Sequence, residues 1–242
     1  MHYSKQVRVE HIQKSIFTMI ELLTIISIII ILISLLFPAL SKVKEKSKQT
    51  YCLNNLRQTQ NGMLCYGIDY NGFFPLADSQ LYGSWTSVYH TLWPSTIIEY
   101  MQWHVFICPS QLDDNYFQKI TKSGNALRFV HYGYNYLHIG SSFRYGGNTL
   151  LPAKNSQIKN PSATFLLMDA TYDPETRVGW YIVKDNPSAI DCYPDARHSS
   201  GMNIGWADGH CSYKTVKVKV NPFLDLGSGT SVGSENNQWD RY

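Results

Sequence analysis

From Leu22 to Ser41 the chain runs for twenty residues without a charge, LLTIISIIIILISLLFPALS. A helix of that length rises about 30 Å, the hydrocarbon thickness of a bilayer. Eight isoleucines stand between Ile20 and Ile33. Such β-branched density disfavours a helix in water, but in lipid every backbone group must be satisfied within the segment, and that forces one. A cleaved secretory signal carries a shorter apolar core, roughly 7–15 residues. Although Ala39-Leu40-Ser41 would suit small-x-small cleavage, the pattern therefore predicts a membrane-spanning helix over 17–40, with Pro38 loosening or kinking it.

Beyond Ser41 the pattern changes period without breaking. Cys52, Leu56, Thr59, Met63 and Tyr66 recur at alternating spacings of three and four, so the helix is expected to continue through 41–71 as an amphipathic segment with one stripe for packing. Asp69-Tyr70-Asn71-Gly72 is a turn signal, and Pro75 closes it. From 72 to 242 short apolar runs alternate with Gly, Pro and Asn. Thr164–Met168, Gly179–Val183 and Met202–Ala207 read as strands, and Asp208-Gly209 reads as a two-residue type I′ turn into a fourth strand over 210–213. The predicted fold is α+β: a long N-terminal helix, first transmembrane and then amphipathic, packed on a C-terminal antiparallel sheet.

Composition fits one anchor and one globular domain: 242 residues, 16% charged, 14% aromatic, net charge +3. No basic run points to nucleic acid. Lys5, Arg8 and Lys14 precede the span while Lys42, Lys44, Lys46 and Lys48 follow it, so the positive-inside rule does not orient it. All five cysteines, Cys52, Cys65, Cys108, Cys192 and Cys211, lie after the span, where an oxidising compartment would permit disulfides. Cys52 and Cys65 stand about 20 Å apart by helical rise and cannot bond to each other. Each could reach the globular part, with Cys108 the natural partner. Cys192 with Cys211 could close the hairpin region, and the odd count leaves one thiol over. There is no Gly-rich phosphate loop, no Gly-x-Ser-x-Gly elbow and no Cys-x-x-Cys, so no enzyme motif emerges; the Gly140–Gly147 stretch reads as a surface loop.

A single carboxylate, Glu21, stands at the lip of the apolar run, where a charge is costly and usually has a partner or a function. Phe17-Thr18-Met19-Ile20-Glu21, after a short basic leader and before the apolar helix with Pro38, resembles the N-terminal signature of type IV prepilins and type II secretion pseudopilins. The resemblance implies a leader over 1–16, cleavage by a prepilin peptidase between Ile16 and Phe17, and methylation of the new amine. It places the N-terminus in the cytoplasm, the precursor in the bacterial inner membrane and the head in the periplasm. Glu21 becomes the fifth residue of the mature chain and Pro38 the twenty-second, both as in that family. The residue before the cut is Ile16, where the family typically has Gly. A cation at the Phe17 amine and the Glu21 carboxylate of a neighbouring subunit would attract strongly in a low dielectric, which makes Glu21 a register device for assembly.

A second resemblance covers most of the remaining chain. His198, nine intervening residues, then Asp208-Gly209 is similar to a His-x9-Asp-Gly element at the C-terminal end of a large group of prepilin-like proteins. Cys52-Leu53-Asn54-Asn55-Leu56, Asp69-Tyr70-Asn71-Gly72, Cys108-Pro109-Ser110, Tyr132-Gly133-Tyr134-Asn135-Tyr136 and Asn160-Pro161-Ser162 agree with that group. His198, Asp208 and His210 offer zinc ligands, but their spacing fits no zinc motif. The favoured reading is structural, with Asp208-Gly209 turning the chain and His198 hydrogen-bonding a loop backbone at the end of the sheet. Asp225, Glu235 and Asp240 in the Gly/Ser-rich tail could supply oxygen ligands to Ca²⁺.

Together these features predict a non-enzymatic, pilin-like structural subunit of a type II secretion-like pseudopilus or type IV pilus-like filament, leaning to the former. Its expected partners are the peptidase, other subunits and inner-membrane lipid. The alternative is an anchored periplasmic binding protein or hydrolase that does not polymerise, with Trp85, Trp93, Trp103, Trp180 and Trp206 offering sugar-stacking faces.

Overall fold

The computed structural model describes residues 18–78, 92–111, 126–140, 151–172, 178–184 and 193–216. The chain divides into two compact units, Met1–Val43 and Lys44–Tyr242. One helix, α1 (Met19–Asp69), contributes to both and stays helical through Pro38.

In the first unit the helix opens on a capping box. The Thr18 amide donates to Glu21 Oε2 at 2.8 Å, and the Glu21 amide donates back to Thr18 Oγ1 at 3.3 Å, which satisfies two amides that a helix start otherwise leaves open. Every residue from 18 to 43 is exposed, including Leu22, Ile29 and Leu36. Ser27, Ser34 and Ser41 turn their hydroxyls back onto carbonyls three or four residues earlier, so these polar groups are also satisfied within the helix. It is long and apolar enough to cross a membrane.

In the second unit the same helix follows the logic of a protein core. Cys52, Leu56, Thr59 and Met63 of the expected stripe are buried, with Tyr66 partly so. Of the polar residues that share the buried face, Gln49 accepts from Lys46 Nζ and three others are tied to backbone. The Asn55 amide donates to Ile107 O at 2.9 Å, the Thr59 hydroxyl to Asn55 O at 2.9 Å, and the Gln60 amide to Trp206 O. Gly205 lets the sheet come this close, because a Cβ there would stand 2.6 Å from Gln60 Oε1.

The other elements are α2 (Trp93–Ile97), β1 (Tyr132–Asn135), β2 (Phe165–Thr171), β3 (Ile182–Val183), β4 (Tyr193–Pro194), β5 (Gly201–Trp206) and β6 (Cys211–Thr215), with short 3₁₀ turns between them. The strand order is β3-β1-β2-β5-β6, and β4 pairs with the end of β2. The fold is α+β as expected, but the sheet is mixed rather than antiparallel. β3 runs parallel to β1, through Tyr134↔Ile182 and Asn135↔Val183. The cause is order: β3 follows β2, which is antiparallel to β1, and it settles on the far side of β1. β3 thus runs antiparallel to β2, the strand it follows.

Both faces of the sheet are covered. Leu56 and Met63 of α1 pack with Trp93, Tyr132, Tyr134, Leu166 and Leu167 on one side, while Phe165, Met168, Ala170, Met202 and Ile204 cluster on the other. Adjacent Leu166 and Leu167 belong to the same cluster because the register slips between Phe165 and Leu167, a β-bulge. Alternation resumes after it, which turns Asp169 toward the helix side, opposite Tyr132.

Candidate functional site

Two places carry the residues singled out above. The first is the helix start, where Glu21 Oε2 also accepts from the Thr18 hydroxyl at 2.7 Å. Within one chain this carboxylate is therefore held by Thr18. Ile16 and Phe17 lie outside the described residues, as do the leader, Trp85, Cys192 and the tail carboxylates Asp225, Glu235 and Asp240.

The second is the His-x9-Asp-Gly element, which proves to be a strand with a turn at each end. At one end the His198 amide donates to Gly201 O at 3.0 Å and the Gly201 amide to His198 O at 2.9 Å. The two residues between, Ser199 and Ser200, have φ of 47° and 69°, the left-handed pair that a type I′ turn demands. At the other end the Gly209 amide donates to Trp206 O and the Trp206 amide to His210 O. Only Gly209 there has positive φ, at 100°, which makes a three-residue loop closed by a glycine bulge. The type I′ turn expected at Asp208-Gly209 is thus at Ser199-Ser200 instead. A right-handed strand twist needs two left-handed residues in a two-residue turn, and Asp208 is not one.

The element's two ends stand roughly 17–20 Å apart along β5, so His198 and Asp208 serve different sites. Asp208 Oδ1 lies 2.6 Å from His210 Nδ1, and His210 stacks on Trp206 at 5.6 Å. The Asp208 amide donates to Pro161 O and the Ala207 amide to Thr164 O, which docks this loop on the Asn160-Pro161-Ser162 segment. A zinc site of His198, Asp208 and His210 is therefore not formed. Cys211 is a free thiol donating to Gln60 Oε1 at 2.8 Å, so it does not pair with Cys192. Register sets its direction: Cys211 stands opposite Gly205, where the helix comes closest. Burial pushes that thiol up to about 11.

His198 is wholly buried and enters a constellation that sequence reasoning did not assemble. Cys52 on α1 and Cys108 form a disulfide, which ties the helix to the segment after Phe106. His198 Nε2 lies 3.5 Å from Cys108 Sγ and 3.5 Å from Asp169 Oδ2. Its Nδ1 faces Ser110 Oγ at 3.4 Å and Glu45 Oε1 at 3.8 Å. Asp169 Oδ2 accepts the Asn203 amide at 2.7 Å, and its Oδ1 is buried without a hydrogen-bond partner. Arg197, also buried, donates to Ala170 O and to Gln111 Oε1, and its Nε lies 3.0 Å from Asp195 Oδ2. His131 Nδ1 accepts the Cys108 amide at 2.7 Å.

Burial dominates the electrostatics here. It lowers His198 to about 4, assisted by Arg197 and opposed by Glu45 and Asp195. It raises Asp169 to about 7, with Arg197 and the Asn203 amide pulling the other way. His131 falls well below the ordinary histidine value for the same reasons, burial first and Arg197 second. At neutral pH His198 is a neutral ring. The contact with Asp169 is therefore a polar one between a neutral imidazole and a carboxyl near its midpoint, not a full ion pair. A disulfide sulfur has no proton, so a hydrogen on Nε2 is donated toward Cys108 Sγ or Asp169 Oδ2. One signal for Asp169 was in the sequence: a lone carboxylate inside the run FLLMDAT demands a buried partner.

A groove of about 500 Å³ lies at the end of α1, lined among others by Tyr66, Asp69, Tyr70, Phe73 and Leu151. Tyr66 and Tyr70 stack at 4.0 Å, and the Tyr100 hydroxyl donates to Asp69 at 2.7 Å. No family model matches this chain, and no curated protein or solved structure is similar to it.

Proposed function

We propose that the chain is a membrane-anchored structural subunit of a pilin-like filament, of the type II secretion pseudopilus or type IV pilus kind, made as a precursor and processed by a prepilin peptidase. The observation that carries this reading is the helix start: a membrane-length apolar helix with no protein cover on any side among the described residues, led by one carboxylate that only Thr18 holds. Cleavage between Ile16 and Phe17 would create an amine one residue before the Thr18 amide. Glu21 of a neighbouring subunit can answer that cation as helices leave lipid for a bundle. Removal from lipid costs little when the new surroundings are equally apolar. In this reading the covalent chemistry belongs to the peptidase, and the head supplies filament surface.

The tryptophans do not favour the reading as an anchored sugar-binding head. Trp93 is fully buried and gives its indole N–H to Tyr181 O, and Trp206 is 8% exposed. Among the described residues Trp103 alone of the five is exposed.

Co-expression with a prepilin peptidase followed by intact-mass measurement tests the proposal. A chain starting at methylated Phe17 is expected, with Ile16→Gly cut faster. Glu21→Gln should be processed yet lose filament assembly at least tenfold. A chain left uncut in both wild type and Ile16→Gly, or Glu21→Gln filaments equal to wild type, overturns it.

A further inference from the structure

We infer that Cys52, Cys108 and His198 supply three ligands to a divalent metal of the zinc class in the dithiol form of the chain, with the fourth position open to water, and that the Cys52–Cys108 disulfide replaces the metal on oxidation. Bonds of 2.0–2.3 Å in a tetrahedral zinc site place neighbouring ligand atoms about 3.3–3.8 Å apart. His198 Nε2 already stands 3.5 Å from Cys108 Sγ and 3.5 Å from Asp169 Oδ2. The two sulfurs and a His198 ring nitrogen lie within 4.8 Å of one another. Breaking the disulfide requires the sulfurs to part only to roughly 3.8 Å to complete an S₂N set.

Three further features point to a ligand. Asp169, whose Oδ2 lies 3.5 Å from His198 Nε2 and accepts the Asn203 amide, has an Oδ1 that is buried with no hydrogen-bond partner, an open acceptor for a water on the metal's fourth position. Ser110 and Glu45 face His198 Nδ1, the outer partners that commonly orient a metal-bound imidazole and leave Nε2 to coordinate. Two thiolates balance the charge of M²⁺, the Asp169 carboxylate beside His198 adds one negative charge, and the buried guanidinium of Arg197 is close enough to perturb both Asp169 and His198.

The chemistry balances. Two thiols bind M²⁺ and release two protons. Oxidation by a protein disulfide then takes one electron from each thiolate, joins Cys52 to Cys108, releases M²⁺ and leaves the oxidant as two thiolates. The metal would hold the correct pair of five cysteines together until they are oxidised.

The test uses the full chain in detergent with Cys65→Ser, Cys192→Ser and Cys211→Ser, so that Cys52 and Cys108 are its only thiols. Reduced with a phosphine, it is titrated with Co²⁺ and, separately, loaded with Zn²⁺ and desalted for elemental analysis. One equivalent of zinc per chain, a thiolate-to-cobalt charge-transfer band, and none of either in the oxidised chain are expected. His198→Ala should weaken binding at least tenfold. No binding by the reduced, folded chain overturns the site, and so does unchanged affinity in His198→Ala. If reduction alone unfolds the chain, recovery of its native circular dichroism on adding Zn²⁺ supports the site, and failure to recover overturns it.

Discussion

The helix before Lys44 and the helix after it are one element built on opposite solvent logic. From Leu22 to Ser41 every side chain is apolar or satisfied by its own helix, and none is covered. After it, polar residues such as Asn55 and Gln60 are buried because a backbone carbonyl from a distant part of the chain awaits each of them. Hydrophobicity alone does not distinguish an interior from an exterior in this protein. What distinguishes them is whether polar groups find partners locally or across the chain, which is why the first half suits lipid and the second half suits a protein core.

The largest break in that contrast should come from Cys108→Ser. Removing a disulfide that spans 56 residues of sequence should lower head stability by about 4 kcal/mol, in the range of roughly 2–5 for such losses, measured by urea unfolding in detergent with tryptophan fluorescence. Leu56→Ala should cost about 2–4 kcal/mol in the same assay, since Leu56 is wholly buried. Leu32→Ala, in the exposed half, should leave the midpoint unmoved; an equal loss would erase the distinction between the halves.

The third expectation concerns pH. The raised Asp169 carboxyl, at about 7 when folded, holds its proton where the unfolded chain has lost it. Its contribution to stability is present below about 4 and is lost as pH rises to about 7. The lowered His198, at about 4, acts in the opposite sense. Its contribution is present above about 6.5 and is lost as pH falls toward 4. Asp169→Asn removes the first effect only. Stability of that variant should therefore rise from pH 5 to pH 8 more steeply than wild type, by about 1–2 kcal/mol. Parallel pH profiles would mean that Asp169 does not titrate in this range. The smallest effect is a gain: Ser200→Gly should stabilise by about 0.5–1 kcal/mol, because a side chain at φ 69° is strained and glycine is not.

The helix and its buried stripe were legible because one period persists over many residues. β2, β3, β5 and β6 were legible as existence rather than as bounds, since short apolar runs between turn residues mark strands. β1 was not: Tyr132-Gly133-Tyr134-Asn135 has no alternation of its own, and its place is set by β2 and β3. β4 is two residues long and ends in proline. Ser199-Ser200 carries neither the Asn nor the Gly that announces a type I′ turn. The buried constellation escaped because its members come from four separate stretches, with Glu45 and Cys52 on α1 and Cys108, Asp169 and His198 each elsewhere, and only the folded chain brings them within 4 Å of a shared imidazole or of each other.

The bulge at Phe165–Leu167 acts as a parity switch. Upstream of it, odd positions of the strand belong to one layer; downstream they belong to the other. A single-residue deletion there would remove the extra residue and leave one alternation throughout with Asp169 still on the helix side, whereas deleting Met168 would put Asp169 into the oily layer of Met202 and Ile204. Beyond the bulge, length in this strand is thus quantised: a loss of two residues exchanges neighbours, whereas a loss of one exchanges insides.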